Sequence, residues 1–90
     1  MTDSVIAQLR EQIAGTDRAI LAAMNERVKL VAEVRAYKES HGLTFHDPGQ
    51  EERLLAALAG ANAGPLSDEG VRELFETILD LSKREVGHGD

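Results

Sequence analysis

Hydrophobic residues recur at helical spacing through the first 40 residues of the chain. Residues 4–40 contain no proline, and Gly15 is their only glycine. Apolar side chains that stand three, four or seven residues apart fall on one face of an α-helix. The pattern therefore predicts one long helix over residues 4–40, with an apolar face formed by Ile6, Leu9, Ile13, Ile20, Met24, Val31 and Val34.

The segment that follows breaks this pattern and then starts a second helix. Asp47 precedes Pro48 and stands three residues before Gln50. A cap residue, a proline at the first helical position and a glutamine at the third are typical of a helix that begins with a capping box. We expect this helix to cover residues 48–59 and to end at Gly60.

A second break, with two glycines and a proline between residues 60 and 67, separates a third helix. Ser67 stands before an acidic first turn, which suits the positive end of a helix dipole. This helix is predicted over residues 68–86. The sequence thus predicts one all-α domain over residues 1–90, with three helices and no strand.

The first predicted helix is too long for a chain of this size to cover. Its 37 residues span roughly 55 Å, at about 1.5 Å per residue. A compact domain of 90 residues has a diameter of only roughly 30 Å. The two shorter helices cannot cover both of its ends, so we expect a second copy of the chain to lie antiparallel along it. The prediction is a homodimer.

Composition excludes several classes of protein. Sixteen acidic and ten basic residues give a net charge of -6, which argues against a nucleic-acid partner. The sequence contains no cysteine and no apolar run near the roughly 20 residues that cross a bilayer. The three histidines lack the spacing of metal ligands. We expect a cytoplasmic protein without a metal site and without a membrane partner.

Three cations interrupt or border the apolar face of the first helix. Arg27 occupies a seam position of its heptad repeat, and Arg10 and Lys38 flank the seam. Arg27 and Lys38 are 11 residues apart, hence on nearly the same side and roughly 16 Å apart along the axis. Their long side chains could converge on one small ligand. Arg10 lies roughly 25 Å from Arg27 and could reach only the ligand of an antiparallel partner.

Each of these features also has an ordinary structural explanation. Cations beside an apolar face commonly extend to water, and Arg27 could form a buried salt bridge with an aspartate or glutamate. Ser82, on the apolar face of the third helix, would donate to the carbonyl of Ile78. Asp47 and Gln50 are explained by the capping box. The pattern alone predicts a helical dimer with unusual cations near its core.

One ordered series of residues runs through all three predicted helices. It comprises Leu9-Arg10-Glu11-Gln12-Ile13 with Asp17, then Arg27, Lys38, the run from Asp47 to Leu55, Leu74-Phe75 and Ser82. In this order and spacing, over residues 5–86, the series resembles the all-helical chorismate mutase family. The resemblance implies an intertwined dimer of three-helix subunits that converts chorismate to prephenate without a cofactor. Each of its two sites would be completed by the first helix of the other subunit.

The resemblance also implies which residues act. The residues that match catalytic positions are Arg27, Lys38 and Glu51. The residues that match substrate-binding positions are Arg10, Asp47, Gln50, Ser82 and Val86. Arg27 would clamp one carboxylate, and Lys38 would donate to a carboxylate and to the ether oxygen. Arg10 would reach across the dimer, Asp47 and Glu51 would face the ring hydroxyl, and the third-helix serine would contact the ring side.

Two positions depart from the family pattern. Gln50 stands where many members carry an arginine, and Val86 stands where a glutamine or glutamate often donates to the ether oxygen. Loss of one such donor costs about 3 kcal/mol of transition-state stabilisation, or roughly 100-fold in rate, so we expect a slow enzyme when the chain acts alone. The tail, residues 87–90, resembles that of small actinobacterial members that a DAHP synthase activates. This synthase is therefore an expected partner.

Three other functions remain open at this point. An isochorismate pyruvate-lyase or a 4-amino-4-deoxychorismate mutase would use the same cationic clamp on the same fold. A helical dimer without activity could instead serve in regulation or assembly, and it would not bind a mimic of the transition state.

Overall fold

The computed structural model describes residues 2–44 and 47–87. These residues form three α-helices joined by turns and loops, without a strand. The helices are α1, Thr2–Ser40; α2, Pro48–Ala61; and α3, Asp68–Gly87. The all-α fold is confirmed, and each helix lies within two residues of its predicted bounds. Among these described residues, none of the three helices is both long enough and apolar enough to cross a bilayer. His46 and the end of the tail, residues 88–90, lie outside the described residues.

A glycine ends α1 one turn after Lys38. Gly42 adopts the left-handed conformation, with φ of 65°. The amide of Leu43 donates to the carbonyl of Lys38 at 2.8 Å, and the amide of Gly42 donates to that of Glu39 at 3.4 Å. This pair of bonds is the Schellman motif, which a glycine permits because it has no Cβ. The motif sets the direction in which the chain leaves the helix and turns towards α2.

Side-chain caps start α2 and α3 as the sequence predicts. Asp47 accepts a hydrogen bond from the amide of Gln50 at 3.2 Å, and Ser67 accepts one from the amide of Gly70 at 3.0 Å. Each cap satisfies an amide that has no partner within its helix. The second half of the predicted capping box is not made, because the side chain of Gln50 bonds to Arg53 instead.

The end of α2 lies slightly beyond the prediction. Gly60 lies within the helix, and Asn62 caps it by donating its amide to the carbonyl of Ala59. The side chain of Asn62 also donates to the carbonyl of Leu66 at 2.7 Å and accepts from the amide of Gly64 at 3.0 Å. A glycine inside a helix is tolerated at a small cost. The asparagine therefore ends the helix and shapes the turn into α3.

Helix α3 is the centre of the packing. In the described part of the chain, α1 and α2 both pack on α3 and not on each other. The buried apolar side chains are Leu55, Val71, Leu79 and Val86. Arg72 on α3 adds a bond to Glu52 on α2 at 2.6 Å; this hydrogen bond raises the pKa of Arg72 above its ordinary value. A cleft consequently opens between α1 and α2, with α3 as its floor.

Most of α1 is uncovered in the single chain. The molecule is 62 Å long, and its radius of gyration is 17.1 Å, whereas a compact chain of this length would have about 12 Å. The large apolar side chains of α1 that remain between 39 and 62% exposed are Val5, Ile6, Leu9, Ile13, Ile20, Leu21, Leu30, Val34 and Tyr37. As predicted, α1 is therefore longer than α2 and α3 can cover.

Candidate active site

A cavity of about 140 Å³ lies in the cleft between α1 and α2. All three helices contribute to its wall, and six of the eight predicted site residues line it. The lining residues are Arg27, Val31, Lys38, Asp47, Gln50, Glu51, Leu79, Ser82 and Lys83. The cavity is thus the place where residues far apart in the sequence come together.

Arg27 is held in this cavity by Ser82. Its guanidinium donates to the hydroxyl oxygen of Ser82 at 2.6 Å. That hydroxyl in turn donates to the carbonyl of Ile78 at 2.7 Å, as the sequence predicts, and Ser82 is only 1% exposed. Among the described residues, no carboxylate forms an ion pair with Arg27, so the structural salt bridge considered above is absent there. The guanidinium keeps further donors for a ligand.

Lys38 stands on the same side of α1, close to its end. It follows Arg27 by 11 residues, or roughly 16 Å along the helix axis, and three helical turns separate them with little rotation. The carbonyl of Lys38 accepts the closing bond of the Schellman motif from Leu43. The lysine therefore lies in a capped and well-defined last turn, and its side chain lines the cavity.

The start of α2 brings polar groups to the opposite wall. Asp47, Gln50 and Glu51 all line the cavity. Arg53, on the next turn, donates to the side-chain oxygen of Gln50 at 3.1 Å and lies 3.7 Å from a carboxylate oxygen of Asp47. These contacts stabilise the first turn of α2. They also engage the oxygen of Gln50 within its own helix.

Lys83 lines the cavity and is not among the site residues predicted from the sequence. Its ammonium lies 2.8 Å from a carboxylate oxygen of Glu51. The available signal was helical spacing, because Lys83 follows the buried Leu79 by four residues and therefore shares its face of α3. A lysine at such a position is usually interpreted as solvent-exposed, and only the packing of α2 on α3 brings a carboxylate to it.

The cavity combines charged groups with apolar walls. Its lining holds three cations, Arg27, Lys38 and Lys83, and two carboxylates, Asp47 and Glu51, which leaves one net positive charge. The apolar side chains of Val31 and Leu79 lie beside these groups, and apolar surroundings strengthen electrostatic contacts with a ligand. An arginine and a lysine on one wall suit a small molecule that carries carboxylates. The described residues contain no group of three or more histidine, aspartate or glutamate side chains that could hold a metal ion.

Comparison with known proteins shows the family to which this chain belongs. The family model described as chorismate mutase type II matches residues 9–86. The chain belongs to this family. Two solved chorismate mutase structures from Thermus thermophilus have the same fold. Form II is 36% identical, covers 94% of this chain and 97% of its own, and has a TM-score of 0.88; form I is 39% identical, covers 86% and 96%, and has a TM-score of 0.83.

A curated relative is much longer than this chain. The T-protein of Enterobacter agglomerans is 38% identical over 52 residues, which are 58% of this chain. The chain spans only 14% of the length of that relative. The match therefore shows similarity to one part of the T-protein and does not extend the activity of the whole T-protein to this chain.

Two of the predicted site residues of this chorismate mutase family member lie outside the cavity lining. Arg10 is exposed and stands 17 residues before Arg27, roughly 25 Å away along α1. Val86 is 7% exposed and belongs to the core. Neither residue can be assigned to the site from the single chain. A role for Arg10 requires a second subunit.

Proposed function

We propose that this protein is a chorismate mutase, which converts chorismate to prephenate by an intramolecular Claisen rearrangement. The observation that carries the proposal is the joint placement of Arg27, Lys38 and Glu51 in one cavity of a chain that belongs to the type II family. The similarity to two chorismate mutases over nearly their full length supports it further.

The chemistry of this reaction suits the residues of the cavity. One carbon–oxygen bond breaks while one carbon–carbon bond forms, so neither a nucleophile nor a proton relay is required. The site must hold a flexible dicarboxylate in the reactive conformation, and Arg27 is suited to clamp one carboxylate. It must also stabilise the negative charge that develops on the ether oxygen, and the ammonium of Lys38 supplies the compensating positive charge.

The carboxylates of the cavity have a separate task in this proposal. Asp47 and Glu51 lie at the start of α2, across the cleft from the cations of α1. A carboxylate is an acceptor and can bond to the ring hydroxyl of chorismate. Ser82 has two roles in this proposal. Its hydroxyl accepts a hydrogen bond from Arg27, and it lines the cavity that would hold the substrate. Gln50 completes the polar wall.

The active form is an antiparallel homodimer in which Arg10 of each subunit enters the site of the other. Two observations support this part of the proposal. The apolar face of α1 is largely exposed in the single chain, and α1 extends far beyond the cover that α2 and α3 provide. A second α1 would bury that face, and it would bring one more cation to a site whose lining has one net positive charge. Two positive charges match a dianionic substrate.

The chain acting alone is expected to be slow, and a partner is expected to activate it. Val86 offers no polar atom from its side chain, and the side-chain oxygen of Gln50 is bonded to Arg53. Val86 therefore supplies no donor to the ether oxygen, and Gln50 has only its neutral amide NH2 to offer a carboxylate where many family members have an arginine. We propose that a DAHP synthase from the same organism raises kcat/KM when it binds. Equal kcat/KM with and without the synthase would contradict this. The cytoplasmic location stays a prediction.

The test of the main proposal is incubation with chorismate and identification of the product. Prephenate is the expected product, measured by mass and NMR. Salicylate and pyruvate from isochorismate would identify the lyase, and turnover of the amino-substituted analogue alone would identify the other mutase. Failure to bind a bicyclic dicarboxylate that mimics the transition state, measured by calorimetry, would favour a regulatory dimer.

A further inference from the structure

The ion pair between Lys83 and Glu51 lies inside the cavity and has no role in the function proposed so far. The two charged atoms are 2.8 Å apart, and both side chains are about two-thirds buried. Asp80 is the other carboxylate near Lys83, but it lies 4.0 Å away and is 83% exposed. Glu51 is therefore the main partner of this lysine among the described residues.

This pair links the two walls of the site through α3. Glu51 lies on α2 and the cations Arg27 and Lys38 lie on α1, and these two helices do not pack on each other in the described part of the chain. Ser82 accepts a hydrogen bond from Arg27 at 2.6 Å, and Lys83, the next residue, forms the ion pair with Glu51. Two consecutive residues of α3 thus connect one cation of α1 and one carboxylate of α2.

We propose that Lys83 is a positioning residue that holds the carboxylate of Glu51 in the orientation required for the substrate. The inference rests on the proposed chorismate mutase activity. A glutamate side chain has several rotamers, and its charge-assisted bond to Lys83 selects one that faces the cavity. Because the pair is partly exposed, its contribution to stability is small. Its removal therefore alters the site without unfolding the chain.

The first test is the variant Lys83→Met, which keeps the length of the side chain and removes its charge. We expect kcat/KM for chorismate to fall about tenfold, with an unchanged circular-dichroism spectrum. Lys83→Arg retains the ion pair and should recover activity to within about threefold of the wild type. Arg84→Met is the matched control, because it removes one positive charge from the next position of α3, outside the cavity lining. It should leave kcat/KM unchanged.

A double-mutant cycle separates positioning from direct contact with the substrate. If Lys83 acts through Glu51, Lys83→Met has no further effect in a Glu51→Gln background. Binding of the bicyclic dicarboxylate by calorimetry supplies the same comparison where turnover is too slow to measure. Additive losses in the cycle would overturn the positioning role and indicate that the ammonium contacts the substrate itself.

The remaining outcomes are also decisive. A Lys83→Met protein as active as the wild type overturns this inference alone, provided that the wild type converts chorismate. A drop in activity that Arg84→Met reproduces attributes the effect to overall charge and overturns it as well. A wild type that neither converts chorismate nor binds the mimic removes the proposed function, and the inference with it.

Discussion

Arg10 lies too far along α1 to act in the cavity of its own chain. Seventeen residues separate it from Arg27, which corresponds to roughly 25 Å and exceeds the reach of an arginine side chain several times. Hydrogen bonds to charged groups contribute about 1.5–3 kcal/mol each. Loss of about 3 kcal/mol lowers a rate roughly 100-fold. We therefore expect Arg10→Ala and Arg27→Ala each to reduce kcat/KM by roughly 100-fold.

A mixture of these two variants tests the shared site directly. In a heterodimer, the chain that carries Arg10→Ala keeps its own Arg27 and receives an intact Arg10 from the other subunit. One of the two sites is then complete, and the second carries both substitutions. If equal amounts exchange at random, half of the dimers are mixed, so about one quarter of the wild-type activity should return. The assay is chorismate consumption after mild unfolding and joint refolding.

The control uses substitutions of two residues that a single chain supplies to the same cavity. Heterodimers of Arg27→Ala with Lys38→Ala contain no complete site, because each cavity takes both residues from one chain. Their mixture should stay as inactive as the separate variants. If the Arg10 mixture also stays inactive while co-purification through an affinity tag on one of the two variants shows that heterodimers formed, the proposed role of Arg10 across the dimer is refuted. Recovery of activity in both mixtures would also refute this role of Arg10, because the recovery would then not depend on which chain supplies which residue.

Three further predictions concern the fold and its link to the site. Ile20→Asp puts a charge on the exposed face of α1 and should shift the sedimentation mass to one chain, 9.8 kDa; an unchanged dimer would contradict the proposed interface. Gly42→Ala should lower stability by roughly 1–2 kcal/mol because of its left-handed backbone, and an equal Tm would show that the Schellman turn does not matter. Ser82→Ala removes the acceptor that holds Arg27 and should lower kcat/KM roughly tenfold; wild-type kinetics would show that Arg27 needs no support.

The three helices could be predicted because their signals are local. Apolar spacing, Asp47 before Pro48, and Ser67 before an acidic turn all act within a few residues. The errors occur where two local signals compete. Gly60 was expected to end α2, but Asn62 ends it, since its side chain satisfies the backbone of the following turn. The backbone of Gly60 itself remains helical.

The site was only partly predictable, because its contacts depend on packing. The pattern along α1 placed Arg27 and Lys38 on one side of the helix, and the structure has both in one cavity. The partner of Arg27 could not be inferred from spacing, since Ser82 is 55 residues away. The same applies to Lys83, whose bond to Glu51 arises from the packing of α2 on α3.

The reaction itself is the most direct test of the proposed function. Purified protein incubated with chorismate should yield prephenate, identified by mass and NMR, and Lys38→Ala should abolish this conversion while the helical circular-dichroism spectrum is unchanged. Unconverted chorismate after prolonged incubation, both alone and with a DAHP synthase, would contradict the proposed function.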